Sequence, residues 1–180
     1  MLPGASDSVD DTEVYAEMHK IAAIHLSRSG RAGTPTLQPT ALVHEAWLRL
    51  SGRASWKSKT HFLALASRTM RMVMIDAARA RLAEKRGGAD AQRVDWNPEV
   101  QFGEPQQEVP LDRVIEIDRV LTQLADKDER KANVVEMRFF GGLDFGEIAE
   151  ALAISVPTAK RDWEFARAWL FSRLSGTGGA

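Results

Sequence analysis

The apolar residues of this chain recur at the three- and four-residue spacing of α-helices, and no stretch alternates as a β-strand does. With 180 residues, of which 44% are hydrophobic, the chain is long enough to bury one or two compact cores. These two observations predict an all-α fold.

The first helical segment covers residues 12–86, in which the only prolines are Pro35 and Pro39. Apolar residues around Met18 mark a first helix. After a loop over residues 28–40, we expect Thr40 to cap a second helix that ends at Leu50. A longer third helix is expected over residues 60–86, where a pair of glycines ends it.

The composition changes between residues 87 and 110 to Gly, Pro, Gln and acidic residues without helical spacing, which is typical of a linker between domains. Helices are predicted again over residues 111–125, 128–140, 144–152 and 156–174. We therefore expect two small helical domains, over residues 12–86 and 111–175, joined by a linker over residues 87–110.

Several classes of protein are disfavoured by composition. The chain has no cysteine, which excludes disulfides and thiolate metal sites. No apolar run reaches membrane-spanning length and residues 1–11 are acidic, so we expect a cytoplasmic protein that does not associate with a membrane. The four histidines are scattered and there is no glycine-rich phosphate loop, so we expect neither an enzyme nor a metal or other cofactor.

Charge is unevenly distributed, although the net charge is only −1. Residues 49–93 carry 11 Lys/Arg against 3 Asp/Glu, a local charge of +8, whereas residues 94–130 carry 4 against 10. Such asymmetry suggests that one surface binds a polyanion. For the basic run taken alone, a solvated helix face is an equally good interpretation.

The long third helix concentrates this charge. At about 100° per residue, Arg68, Arg71, Arg79 and Arg86 lie within a stripe about 80° wide and about 27 Å long. A stripe of that length could follow the phosphates of several nucleotides, and arginine also stacks on bases.

A short basic loop precedes this helix and contains Arg53, Trp56, Lys57, Lys59 and His61. Cations beside an aromatic ring suit the binding of an unstacked base. A tryptophan in a loop is as often a lid on the core, so both interpretations of Trp56 stay open.

Near the other end of the chain, Asp144 and Glu147 have the spacing of a capping box, which predicts a helix start. A turn at Ala153–Ser155 follows, and Ser155 can cap the next helix. Two short helices joined in this way predict a helix-turn-helix unit.

The second helix of this unit separates into an apolar half and a mostly cationic half that contains Lys160, Arg161, Glu164 and Arg167. The cationic half suits the major groove, where arginine recognises guanine and a carboxylate recognises cytosine. An ordinary amphipathic surface helix is the alternative. Asp162 lies within the apolar half and does not fit the pattern.

The second helix of the chain has a possible protein-docking patch. Leu42 and Leu50 share its apolar side, whereas Leu48 lies on the opposite side with Glu45 and Arg49. We therefore expect Leu48 to be exposed. An isolated exposed leucine carries little information, but this one is framed by a carboxylate and a guanidinium group.

Four stretches in this order resemble the extracytoplasmic-function (ECF) sigma factors, of the sigma-70 family. The stretches are Leu37–Leu50, His61–Ala66, Ile75–Arg81 and Ala159–Leu170. The resemblance extends roughly from Val14 to Leu174 and is far more specific than a single helix-turn-helix.

The resemblance implies a factor that binds core RNA polymerase and directs promoter-specific initiation, and it implies the role of each site. Core polymerase would be bound by Leu42, Glu45, Leu48 and Arg49. The promoter minus-ten element would be recognised by Trp56, Lys57, Lys59, His61, Arg68, Arg71, Asp76 and Arg79. The minus-thirty-five element would be recognised by Thr158, Lys160, Arg161, Glu164 and Arg167. Whether an anti-sigma factor or another regulator binds is left open.

Three features depart from the family pattern. Only about a dozen residues precede Val14, so part of the usual N-terminal helical region is expected to be missing. Ala153 stands where the family commonly has glycine. Gly146 lies in a first helical turn, where glycine costs about 1 kcal/mol relative to alanine.

A second interpretation of the sequence is a helix-turn-helix regulator that binds an operator as a dimer, with residues 12–86 as a sensor or dimerisation domain. A sensor domain has no need of an arginine stripe, which favours the sigma factor.

Overall fold

The computed structural model describes residues 11–26, 39–51, 58–85 and 111–175. In these ranges the chain forms seven α-helices and one π-helix, and it contains no strand. The predicted all-α class is confirmed. No helix in the described ranges is long and apolar enough to cross a lipid bilayer.

Three helices form the first half of the chain: α1 (Asp11–Leu26), α2 (Pro39–Ser51) and α3 (Lys59–Lys85). Their buried side chains include Met18, Leu42, Phe62 and Met70. The Trp47 ring lies between α1 and α3, with its centroid 5.9 Å from that of Tyr15 and 6.0 Å from that of Phe62. This aromatic contact fixes α2 against both neighbours.

The starts of α2 and α3 lie close to their predicted positions, but other residues begin or cap each helix. The prediction that Thr40 caps α2 is wrong, because the helix already begins at Pro39; the Thr40 hydroxyl lies 3.2 Å from Nε2 of His19 on α1 instead. For α3, predicted to begin near residue 60, Ser58 is the capping residue, and its Oγ accepts a hydrogen bond from the His61 amide.

The second half consists of α4 (Leu111–Ala125), α5 (Glu129–Val135), the π-helix (Glu136–Phe140), α6 (Phe145–Leu152) and α7 (Val156–Ser175). The sequence predicted one α-helix over residues 128–140, but its last five residues form the π-helix. The wider turn allows four of those five side chains to be buried. At its end the Gly141 amide donates a hydrogen bond to the Glu136 carbonyl at 3.2 Å.

The buried side chains of both halves belong to one continuous hydrophobic cluster. Helix α3 makes this connection, because it contacts α1 and α2 on one side and α4, the π-helix and α6 on the other. The predicted linker, residues 87–110, lies outside the described residues. A helix packed on so many sides explains why apolar residues cover most of the α3 circumference.

Candidate nucleic-acid interface

Helix α3 carries three of the four arginine residues of the predicted stripe, and their environments differ. Arg68 and Arg79 are exposed, as a phosphate-binding surface requires. Arg71 is largely covered, with only 15% of its side chain exposed. Arg86 lies outside the described residues. The stripe is therefore interrupted at Arg71.

The guanidinium group of Arg71 is held by carboxylates from the second half of the chain. Its Nη2 donates to Oδ1 of Asp118 on α4 at 2.6 Å, and its Nη1 lies 3.4 Å from Oε2 of Glu136 in the π-helix. Neither carboxylate was among the residues that the sequence pointed to, because each lies far from Arg71 along the chain.

The start of α3 carries two further members of the minus-ten set. Lys59 and His61 are half-buried, and the His61 ring lines a cleft against the second half, together with Arg68 and Glu136. The predicted base-binding loop, with Arg53, Trp56 and Lys57, lies outside the described residues. The two interpretations of Trp56 therefore remain predictions.

Asp76 links α3 to α2. One of its carboxylate oxygens, Oδ2, accepts hydrogen bonds from both terminal nitrogens of Arg49, each at 3.2 Å. Nε of Arg49 also donates to Oε1 of Glu45, one turn earlier on α2, at 3.0 Å. The structure thus joins a residue from the predicted minus-ten set to two from the predicted polymerase-binding set.

The exposed side of α2 agrees in part with the predicted docking patch. Leu48 is 55% exposed, as its position on the helix predicted, and it lies beside the Glu45–Arg49 pair. Leu42 is fully buried, so it can support this surface from beneath but cannot form it. Met72 of α3 is a second exposed large apolar side chain.

Helix α6 begins with the predicted capping box. Oδ1 of Asp144 accepts from the amides of Gly146 and Glu147, and Oε2 of Glu147 accepts from the Asp144 amide at 2.8 Å. Glycine at position 146 leaves room for this cap, since a Cβ there would lie 3.1 Å from the same Asp144 oxygen. The cap accounts for a glycine in a first helical turn.

The turn between α6 and α7 contains Ala153 in the left-handed conformation, with φ 52° and ψ 44°. Alanine tolerates this region less well than glycine does. Ser155 then caps α7, as predicted, by accepting from the Thr158 amide at 3.2 Å. The Thr158 hydroxyl lies 2.8 Å from the Ser155 hydroxyl, so it belongs to this cap.

The outer face of α7 presents polar side chains close to the turn. Lys160, Arg161 and Glu164 are exposed, and Arg167 is half-buried with its Nη2 3.0 Å from Oε2 of Glu164. Arg161 forms no hydrogen bond or ion pair with any other residue that the structure describes. A guanidinium group in this position is available to a ligand.

Two residues of α7 differ from their simple helical placement. Asp162 is buried because it pairs with Arg130 of α5 at 2.7 Å. Phe165, an apolar residue of the same helix, is nonetheless 54% exposed, and its ring lies 5.1 Å from Nζ of Lys131. The buried carboxylate therefore serves the packing of α7 on α5.

In the part of the chain that the structure describes, no three His, Asp or Glu side chains lie close enough together to hold a metal ion. The described residues instead form exposed polar surfaces on α3 and α7 and a mixed apolar and charged surface on α2.

Comparison with known proteins gives one match. The model of a family described as ECF sigma factor matches residues 5–176, nearly the whole chain. No curated protein sequence and no solved structure matches the chain.

Proposed function

Because the chain belongs to the ECF sigma factor family and so has a sigma factor role in transcription initiation, we propose that it binds core RNA polymerase and directs it to specific promoters. The match over residues 5–176 carries this proposal, since it includes α2, α3 and α7 together.

Core polymerase binds the exposed side of α2 in this proposal. Leu48 supplies an apolar contact at 55% exposure, and the Glu45–Arg49–Asp76 network surrounds it with charge. An apolar anchor in a polar rim is the common anatomy of a protein interface. Leu42 holds the helix in place from the core.

The minus-ten element binds α3 and the loop before it. Arg68 and Arg79 contact phosphates in this proposal, which their exposure on one continuous helix supports. The remaining residues of this assignment are Trp56, Lys57, Lys59, His61, Arg71 and Asp76, of which Asp76 acts through its pair with Arg49.

The minus-thirty-five element binds α7, which serves as the recognition helix of a helix-turn-helix. Arg161 and Lys160 lie in its first turns, and first-turn residues are the ones that reach base edges in this motif. The Glu164 carboxylate can accept a hydrogen bond from cytosine. Nη2 of Arg167 lies 3.0 Å from Oε2 of Glu164 and orients this carboxylate. Thr158 fixes the start of the helix.

A transcription assay with purified core polymerase tests the proposal. Fragmented genomic DNA serves as template, and the 5′ ends of the transcripts are sequenced with and without the protein. We expect new start sites that share two unlike upstream elements at a fixed spacing.

Start sites that do not change on addition of the protein would contradict the proposal. A footprint of the chain alone on a symmetric site would support the dimeric regulator instead.

A further inference from the structure

The guanidinium group of Arg71 is paired with carboxylates, although Arg71 belongs to a helix that is proposed to bind DNA. Asp118 and Glu136 bind its terminal nitrogens at 2.6 and 3.4 Å, and its guanidinium carbon lies 6.0 Å from the centre of the Phe140 ring. Carboxylates and phosphates use the same planar fork of arginine. A phosphate can therefore reach this side chain only if the two carboxylates leave it.

The same contact extends along α3. Oγ1 of Thr60 donates to Oε1 of Glu150 on α6 at 2.6 Å. Between Thr60 and Arg71, about 17 Å along the helix axis, Ser67 is buried against Gly141, where an added Cβ would lie 1.8 Å from the Ser67 hydroxyl. The second half thus covers about three turns of α3.

The contact also contains polar groups that are poorly satisfied. His61 and Glu136 line a cleft of about 180 Å³ between the halves, and His61 Nδ1 and Glu136 Oε1 are buried without a hydrogen-bond partner among the described residues. Burial raises the pKa of Glu136, and the nearby guanidinium groups of Arg71 and Arg68 oppose that shift. Buried polar groups without partners cost free energy, so they weaken the contact between the two halves and favour its reversible opening.

We propose that the free protein adopts a closed state in which Asp118 and Glu136 occupy Arg71 as phosphates would, so that α3 binds DNA fully only after the two halves separate. This inference rests on the proposed function, because it concerns the helix assigned to the minus-ten element. The second half acts as an internal competitor for that helix.

The test removes the competing charges without changing side-chain shape. Asp118→Asn/Glu136→Gln is compared with Asp126→Asn/Glu129→Gln, which removes the same charge at two exposed positions away from Arg71. Binding of a short fluorescein-labelled single strand of mixed sequence is measured by anisotropy at one salt concentration. We expect about tenfold tighter binding for the first variant, a free-energy change of about 1.4 kcal/mol, and a much smaller gain for the control.

Adding Arg71→Ala to the first variant should abolish its extra gain, because the freed guanidinium group is then absent. Equal gains in the two charge-removing variants would overturn the closed state, since net charge alone would explain them. If Glu136→Gln prevents folding, Asp118→Asn against Asp126→Asn makes the same comparison.

A second measurement follows the closed state directly in this cysteine-free chain. Thr60→Cys/Glu150→Cys, joined by a short reducible bis-maleimide, should bind the single strand weakly and recover on reduction. Unchanged binding by the joined protein would refute the inference. The two failures can be told apart. If the joined protein binds normally while the unmodified chain still directs promoter-specific transcription, only the closed state is refuted. If the joined protein binds weakly while the unmodified chain directs no such transcription, only the proposed function is refuted.

Discussion

The Asp162 carboxylate of α7 accepts a hydrogen bond from Nε of Arg130 on α5 at 2.7 Å, while only 2% of the Asp162 side chain is exposed. Nζ of Lys131 lies 3.9 Å from the other carboxylate oxygen. A buried carboxylate needs such partners. The pair therefore fixes the angle at which α7 packs on α5, and with it the direction in which the outer face of α7 points.

Replacing Asp162 with alanine should destabilise the protein, because the substitution removes charge-assisted hydrogen bonds that tie two helices together. We expect the free energy of unfolding in urea to fall by about 2 kcal/mol. Glu164→Ala is the matched control, since it removes a carboxylate that is exposed on the same helix, and it should change stability by less than about 0.5 kcal/mol. Similar losses in both variants would show that Asp162 has no special role in packing.

Acid should weaken the start of α5. Asp128 caps this helix by accepting from the Lys131 amide at 3.1 Å, and its pair with the Lys131 ammonium group lowers the pKa of Asp128 below the ordinary value of 3.8. A carboxyl group whose pKa is lower in the folded state adds stability at neutral pH, and that contribution is lost as the pH falls through the lowered pKa.

Two variants separate the charge of Asp128 from its capping role. Asp128→Asn keeps a capping acceptor, so its stability deficit should shrink as the pH falls from neutral into the acidic range. Asp128→Ala loses the cap as well, so about 1 kcal/mol of its deficit should remain even at acidic pH. Urea denaturation of all three proteins across this pH range measures the effect, and a pH-independent deficit for the asparagine variant would contradict it.

Much of the secondary structure could be predicted because its signals are local. The capping box of Asp144 and Glu147 and the cap at Ser155 are fixed by residues within one turn, and both are present. The π-helix at residues 136–140 could not be predicted, because five buried or half-buried residues at helical spacing fit an α-helix equally well.

The candidate site was predictable only where exposure follows from helical spacing. Leu48 and Arg161 are exposed as their positions on α2 and α7 indicated. Arg71 has the same periodicity as Arg68, but its environment depends on Asp118 and Glu136, which lie 47 and 65 residues away along the chain. Single-sequence periodicity contains no information about such long-range pairs.

Leu48→Glu should weaken binding to core RNA polymerase without unfolding the protein, because the side chain is already 55% exposed. We expect a loss of at least about tenfold in affinity, typical of an apolar anchor in an interface. Phe165→Glu places the same charge at an apolar position of nearly equal exposure on α7. That variant should bind core polymerase as the unmodified protein does, and normal binding by Leu48→Glu would remove α2 from the docking surface.

Arg161→Ala should reduce discrimination at one position of the minus-thirty-five element. Arg161 is exposed near the start of α7 and makes no ion pair with another described residue, so its fork is available to a base edge. Loss of one such contact costs about 1–3 kcal/mol. Transcription by the reconstituted polymerase, measured on promoters that carry each base at each minus-thirty-five position, should therefore become nearly insensitive to one position.

The control for this prediction is Arg173→Ala, three turns later on the same helix. Arg173 is also exposed, but its guanidinium carbon lies 5.2 Å from the Trp169 ring centre, and this contact occupies the face of the group. Its removal leaves the first turns of α7 unchanged, so base preference should be retained at every position. If Arg161→Ala lowered transcription equally from all promoter variants, Arg161 would be a phosphate contact, and base recognition would pass to Lys160 or Glu164.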